Sequence, residues 1–328
     1  MLIYKYAKGG KKMLKLITHN DLDRVGCGII ASYILGNEID ISYCSNHQVD
    51  KVFSDALSSG EYEMIILTDV SINKENAEKV KESDMNVLLL DHHPTALWLN
   101  EYSFAKVLIG DTDGTKTCGT QLFASFLYQS MEEDKDFHKG RKMFEMVTNK
   151  VLWKFVRLVT YWDTWQWKEE NVLEAKELNM LFDIYGLEEF SKLIKKKFEN
   201  YELYGDDSSF FGIAERHVLK LRQREIDDLF KKKNKSLKKT KFEGHDVGVI
   251  FCDRFYSEIG NRICEENTDI DFVVMLQDHT TSLRGIDKVN LGDIAKKYGG
   301  GGHNNAAGFP IGAVNFIDEI LGDMNDFL

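Results

Sequence analysis

The chain has 328 residues, 43% of them hydrophobic and 29% charged, which is enough for two domains with separate cores. A net charge of −11 argues against a protein that coats long-duplex nucleic acid with a basic face. A short phosphate-bearing substrate stays open, because bound divalent cations can neutralise it locally.

The opening stretch "MLIYKYAKGGKKMLKL" has basic residues but no long apolar segment with a cleavage site, so no secretory signal is expected and Met13 is a candidate start. Four short aliphatic runs then read as strands: "KLITH" (15–19), "DISYC" (40–44), "MIILTD" (64–69) and "NVLLLD" (86–91). They are apolar on both faces, as strands of a covered parallel sheet are. "VGCGIIASYIL" and "INKENAEKVKES" read as helices between them, so the class is α/β. From Lys116 to about Lys197 the pattern turns mainly helical, with Trp153, Trp162, Trp165 and Trp167 close together.

The stretch 211–241 reads as a long polar helix that frays into a basic tail, with Lys231 to Lys241 on a solvated face. A second α/β pattern follows: "DVGVIF" as strand, "RFYSEIGNRICEE" as helix, "DFVVMLQ" and "TTSLRG" as strands, then a helix and a glycine run. The expected division is a domain with a parallel sheet over 13–205, a helical linker over 206–243 and a smaller α/β domain over 244–328. No apolar run approaches the roughly 20 residues that span a bilayer, so no membrane partner is expected. Five scattered cysteines without a CxxC pair favour a reducing cytoplasm over a disulfide framework or a zinc knuckle.

In open α/β sheets, ligands bind beyond the carboxyl ends of the strands. Three of the expected strands end in groups suited to a metal. The first runs into "THNDLDRVG" with His19, Asp21 and Asp23, the third into "LTDVS" with Asp69, and the fourth into "DHHPT" with Asp91, His92 and His93. Carboxylate and imidazole without thiolate suit Mn²⁺, Fe²⁺ or Zn²⁺ better than Ca²⁺. The set is too large for one ion, and clustered carboxylates repel one another unless cations separate them. Two ions about 3.5–4 Å apart, sharing a carboxylate, meet both demands, activating a bridging hydroxide and neutralising a phosphoryl oxygen.

Each residue alone has a plainer explanation. An aspartate at a strand end commonly caps the next helix, as Asp69 before "VSIN" does on paper, and His93 before Pro94 fits a turn. The recurrence of one ligand chemistry at three strand ends is what favours a metal site.

Near the other end, "YGGGGHNNAAGF" (298–309) removes side-chain bulk over four residues, so its N–H groups can approach an anion before His303. The segment "NNAAGF" opens a short helix or strand. Upstream, "TSLRG" puts Arg284 at a strand end, suited to a bidentate phosphate contact.

Taken in order, these motifs resemble the DHH phosphoesterase superfamily, in the branch that carries a DHHA1 substrate-binding domain. The resemblance rests on His19-x-Asp21-x-Asp23, Asp69, the triplet Asp91-His92-His93 and "GGGGHNNAAG", and covers most of the chain. It implies two divalent ions, Mn²⁺ above others, between two lobes. "YWDTWQW" is similar to the family's fourth metal motif, which makes Asp163 a ligand.

By this resemblance His19, Asp21 and Asp69 hold one ion, and Asp23, Asp69, His92 and Asp163 the other, with Asp69 bridging. Asp21, Asp69, His92 and His93 form the catalytic set, and Asp91 supports it. Arg284, Gly300, Gly301, Gly302 and His303 bind the substrate phosphate. The pattern departs at Arg24, where the family has glycine. Arg24 either crowds a tight turn or reaches the phosphate as an extra cation, and is counted with the substrate-binding residues.

The implied activity is a Mn²⁺-dependent phosphodiesterase acting on short oligonucleotides, of nano-RNase type. Alternative substrates are a cyclic or linear dinucleotide or a 3′,5′-bisphosphate nucleotide. A RecJ-like exonuclease and a non-catalytic nucleotide-binding module rank lower. The oligomeric state is open, a homodimer included.

Overall fold

The short runs that are apolar on both faces form a parallel sheet. It comprises β1 (Met13–Thr18), β2 (Ile39–Tyr43), β3 (Tyr62–Thr68), β4 (Asn86–Asp91) and β5 (Ala105–Val107), in the order β2-β1-β3-β4-β5. The computed structural model describes residues 13–19, 21–110, 114–132, 138–200 and 210–310. The segment before Met13, the start of the expected linker at 206–209 and the end of the last domain at 311–328 lie outside the described residues.

Every pairing in this sheet is parallel, so all five strands deliver their carboxyl ends to one edge. The chain leaves β1 toward β2 and returns to place β3 on β1's other side. This reversal opens a crevice between the ends of β1 and β3, the usual ligand position in such sheets.

The first unit, Met1–Arg216, covers the sheet with helices. Helix α1 (Leu22–Leu35) is buried over most of its length, because it lies between the sheet and other helices. It packs on α4 (Gly119–Glu132), α6 (Lys150–Asp163) and α7 (Leu173–Glu199). The other face carries α2 (Val49–Ser59) and α3 (Lys74–Glu82), over a core that includes Ile17, Phe53, Ile65, Leu67 and Leu89. Helix α5 (His138–Val147) packs on α4.

The second unit, His217–Leu328, begins within helix α8 (Ile213–Lys235). Among the described residues its mixed sheet has six strands: β6 (Lys238–Phe242), β7 (His245–Phe251), β8 (Phe272–Leu276), β9 (Thr280–Gly285), β10 (Gly301–Gly302) and β11 (Ala306–Pro310), in the order β10-β11-β9-β8-β7-β6. Helices α9 (Tyr256–Glu266) and α10 (Leu291–Lys297) pack on it.

The basic tail expected after α8 is instead the strand β6. Glu243 and Gly244 both have positive φ, +52° and +81°, and close a two-residue hairpin that pairs Phe242 with His245. Lysine is common on such edge strands because its charge discourages further pairing. Among the described residues, no helix is long and apolar enough to cross a membrane.

Candidate metal centre

The carboxyl end of β1 runs into His19 and then Asp21, which caps α1 by accepting a hydrogen bond from the Arg24 amide at 3.2 Å. In the first turn of α1, Asp23 is 2% exposed and accepts from the Gly119 and Thr120 amides at 2.6 and 2.8 Å. Those amides open α4, so the free N–H groups of that helix hold the Asp23 carboxylate in place.

Gly119 was not singled out from the sequence. A Cβ there would stand 2.5 Å from Asp69 Cβ and 2.9 Å from Asp23 Oδ2. Its only local signal was a glycine where a helix begins.

Asp69 directly follows β3 and is 2% exposed, with φ +55°. It caps no helix; Asn73 caps α3. Its left-handed backbone is uncommon for a residue other than glycine.

At the end of β4, Asp91 accepts from the His92 and His93 amides at 2.7 and 3.1 Å, from His93 Nδ1 at 2.7 Å, and from Ser71 Oγ. Burial alone would raise the Asp91 pKa, but His93 and Ser71 hold it below the usual value. The His93 pKa rises despite burial, through Asp91 and Asp69. Ser71, absent from the expected site, thus anchors the carboxylate that orients His93.

His92 is where the acidic groups meet. Its Nε2 lies 2.9 Å from Asp69 Oδ1, 3.5 Å from Asp163 Oδ2 and 3.9 Å from Asp23 Oδ2. Neither His92 Nε2 nor Asp69 Oδ1 has a hydrogen-bond partner, although both atoms are buried. Two buried ligand atoms that face each other without a hydrogen bond suit a shared cation.

The ionisation pattern agrees. Burial and Asp23 push the Asp69 pKa up to about 6 against the pull of His92 and Arg24. Burial opposes charge on His92, but Asp69, Asp163 and Asp23 push its pKa up to about 10. The Asp163 pKa is raised well above the ordinary value by burial, then by Asp23. This excess of clustered negative charge calls for a positive counterpart.

Asp163 is the last residue of α6, where the helix dipole is itself unfavourable to a carboxylate. Trp162, Trp165 and Trp167 pack on one another around this helix end, with ring centroids 5.4–6.0 Å apart.

Among the described residues, two groups have donor atoms mutually within 4.8 Å: Asp23, His92 and Asp163, and Asp69, His92 and His93. His92 belongs to both groups, and His93 Nδ1 is also engaged by Asp91. His19 and Asp21 fall outside both groups. Arg24 is buried and pairs with Asp21 and Asp69.

In the second unit, Arg284 on β9 lies directly opposite Ala306 on β11. Its Nη1 donates to the Leu283 carbonyl at 2.8 Å, while the buried Nε has no hydrogen-bond partner. Burial lowers the Arg284 pKa, with Glu258 acting in the opposite sense.

The glycine run doubles back beside this strand, and the His303 amide donates to the Ala306 carbonyl at 2.7 Å. His303 itself is exposed. A Cβ on Gly300 would stand 2.1 Å from the Gly308 oxygen, so Gly300 serves close packing against β11, whereas Gly301 faces open space.

Over 310 residues the chain is 34% identical to oligoribonuclease NrnB of Bacillus subtilis (strain 168), an alignment spanning 91% of this chain and 73% of that protein. Residues 258–328 match the DHHA1 domain.

The chain belongs to the DHH/DHHA1 phosphoesterase superfamily.

As such it is a phosphodiesterase hydrolase. The fold of this DHH phosphoesterase is shared by several solved structures. Exonuclease RecJ bound to manganese is 14% identical, with 93% of this chain and 87% of that one covered and a TM-score of 0.56. A DHH domain from a member of a ribosomal-protein family is 12% identical, with 95% and 87% covered and a TM-score of 0.60.

Proposed function

We propose that this DHH phosphoesterase hydrolyses the phosphodiester bonds of short oligonucleotides with a divalent cation, Mn²⁺ above others, held by Asp23, Asp69, His92 and Asp163. The observation that carries the cation is the buried pair His92 Nε2 and Asp69 Oδ1, 2.9 Å apart without a hydrogen bond, with two further carboxylates within 4 Å of His92. Three carboxylates and an imidazole without thiolate suit Mn²⁺. When bound there, such an ion makes water a better nucleophile and neutralises a phosphoryl oxygen.

The protein's own groups do the rest. The Gly119 and Thr120 amides fix Asp23, so one wall of the site is set before any ligand arrives. Asp91 engages His93 Nδ1 and, with Asp69, raises the His93 pKa, which favours the imidazolium that can give a proton to a phosphate oxygen. In the second unit we assign Arg284, His303 and the backbone of Gly300, Gly301 and Gly302 to the substrate phosphate. The orphaned Arg284 Nε supports that role.

Short substrates are favoured by the net charge of −11, and the relative named an oligoribonuclease supports RNA oligomers. All five cysteines are free and buried, which suits the reducing cytoplasm where we place the enzyme.

The test is turnover of 5′-labelled di- to pentaribonucleotides in Mn²⁺. We expect mononucleotide product, lost in Asp69→Ala. Failure to cleave any length in Mn²⁺ or Mg²⁺ would end this reading. Cleavage confined to the dinucleotide would narrow the substrate to that class.

A further inference from the structure

Arg24 lies where a cation shared by Asp21 and Asp69 would have to sit. Its Nη1 is 2.9 Å from Asp21 Oδ2. Its Nε touches Asp69 Oδ2 and donates to the Asp69 backbone oxygen at 2.7 Å. The side chain is only 9% exposed, so the guanidinium is enclosed by these groups and does not project into solvent. Helix α1 dictates this position: Arg24 stands three residues after the cap Asp21, which also accepts from its amide.

An ion held by Asp21 and Asp69 needs carboxylate oxygens at about 2.0–2.2 Å. The Oδ2 atoms of both residues are already taken by Arg24. A guanidinium stays charged at any accessible pH, so an arriving divalent ion meets a fixed like charge as well as occupied ligands. The remaining ligand is still there: His19 Nδ1 is buried without a hydrogen-bond partner, 3.8 Å from Asp21 Oδ2. The donor set for a second ion is therefore intact, and a side chain fills its place.

We propose that Arg24 is a built-in cation standing in for the ion of the His19–Asp21–Asp69 position, so that this enzyme takes up a single exchangeable divalent ion, at Asp23, Asp69, His92 and Asp163. The proposal rests on reading the site as the cation-dependent phosphodiesterase centre described above. Arg24 is then a positioning residue. It neutralises part of the Asp21–Asp69 charge and, by gripping both the backbone oxygen and the carboxylate of Asp69, holds that residue in its left-handed conformation. Unlike a bound ion it cannot be exchanged or chelated away, so occupancy follows one binding event.

The full-length protein and Arg24→Ala should be titrated with Mn²⁺ by calorimetry, with electron paramagnetic resonance recorded at saturation. The wild type is expected to bind one equivalent and show an uncoupled hyperfine pattern. Arg24→Ala is expected to bind a second equivalent through His19, Asp21 and Asp69, with the coupled spectrum of two ions sharing a carboxylate.

Because the substitution also removes a grip on Asp69, Arg24→Gln serves as a second variant. Wild-type crystals grown in Mn²⁺ should show one anomalous peak beside Asp163 and none between Asp21 and Asp69. Two equivalents in the wild type overturn the proposal and leave the phosphodiesterase reading standing. One equivalent in the wild type and in both folded variants also overturns it, since Arg24 is then not what excludes the second ion. No bound Mn²⁺ in the wild type overturns both readings.

Discussion

Gly119 and Asp69 lie so close that a Cβ on the glycine would come within 2.5 Å of Asp69 Cβ. The start of α4 therefore serves two purposes: its amides hold Asp23, and its missing side chain leaves room for Asp69. Gly119→Ala must push one of them aside. We expect an overpacking cost of about 1–3 kcal/mol in chemical denaturation, together with weaker Mn²⁺ binding and loss of turnover. Unchanged Mn²⁺ affinity in this variant would show that Asp69 is not tied to the ion.

A buried ion pair ties the end of α7 to the start of α8. Lys197 Nζ on α7 is 3.0 Å from Glu215 Oε1 on α8, with side chains 2% and 12% exposed. Burial would raise the Glu215 pKa, but Lys197 more than offsets it and the pKa is lowered. Its contribution is thus present above pH 4.5 and is lost as pH falls through the depressed folded value. Glu215→Gln strands a buried ammonium and is expected to cost about 3–5 kcal/mol at pH 7. The gap from wild type should narrow in denaturation at pH 3.

Much of this was legible in advance, for a physical reason. Strands apolar on both faces announce a covered parallel sheet, and polar residues at their carboxyl ends stand out against that background, as Asp69 and Asp91-His92-His93 do. Legibility failed where a role depends on a distant partner. Gly119 matters because of Asp23 and Asp69, far away in sequence, and nothing near it reveals that. Arg24 left two readings open because the helix that aims it at Asp69 is visible only in three dimensions. The β6 lysines looked like a solvated helix face, since an edge strand with charges outward lacks the apolar alternation that marks a half-buried one. The Glu243-Gly244 turn was the available clue.

Asp91 acts through His93. With its oxygens shared among two amides, His93 Nδ1 and Ser71, Asp91→Asn keeps one acceptor and loses the charge. A fall of about 10–100-fold in kcat/KM is expected, as for other groups that orient a site from behind it. In the metal-free protein the Asp91–His93 pair stabilises fully between pH 3.8 and 6.5. That contribution is lost as pH falls through the lowered Asp91 value or rises through the raised His93 value. Asp91→Asn should flatten this pH dependence in thermal melts. A variant with the wild-type profile would mean that the pair does not stabilise the fold.

Asp163 separates function from stability. It sits at the carboxyl end of α6, 3.5 Å from His92 Nε2, with its side chain 26% exposed. Burial and Asp23 both disfavour its charge, so its folded pKa is raised. For a carboxylate shifted upward the sign is a penalty: it sets in as pH rises through the unfolded value of 3.8 and is complete above the folded value. Asp163→Asn removes this penalty, so the metal-free variant should melt higher than the metal-free wild type at pH 7. Mn²⁺ reverses the order. A site occupied at a hundred times its Kd gains about 2.7 kcal/mol, and the variant, short of one ligand, should gain much less while turnover disappears. Calorimetric scans of both proteins with chelator and with Mn²⁺ read all four states. A metal-free variant that melts below the wild type would show that Asp163 earns its place through packing and not as a ligand.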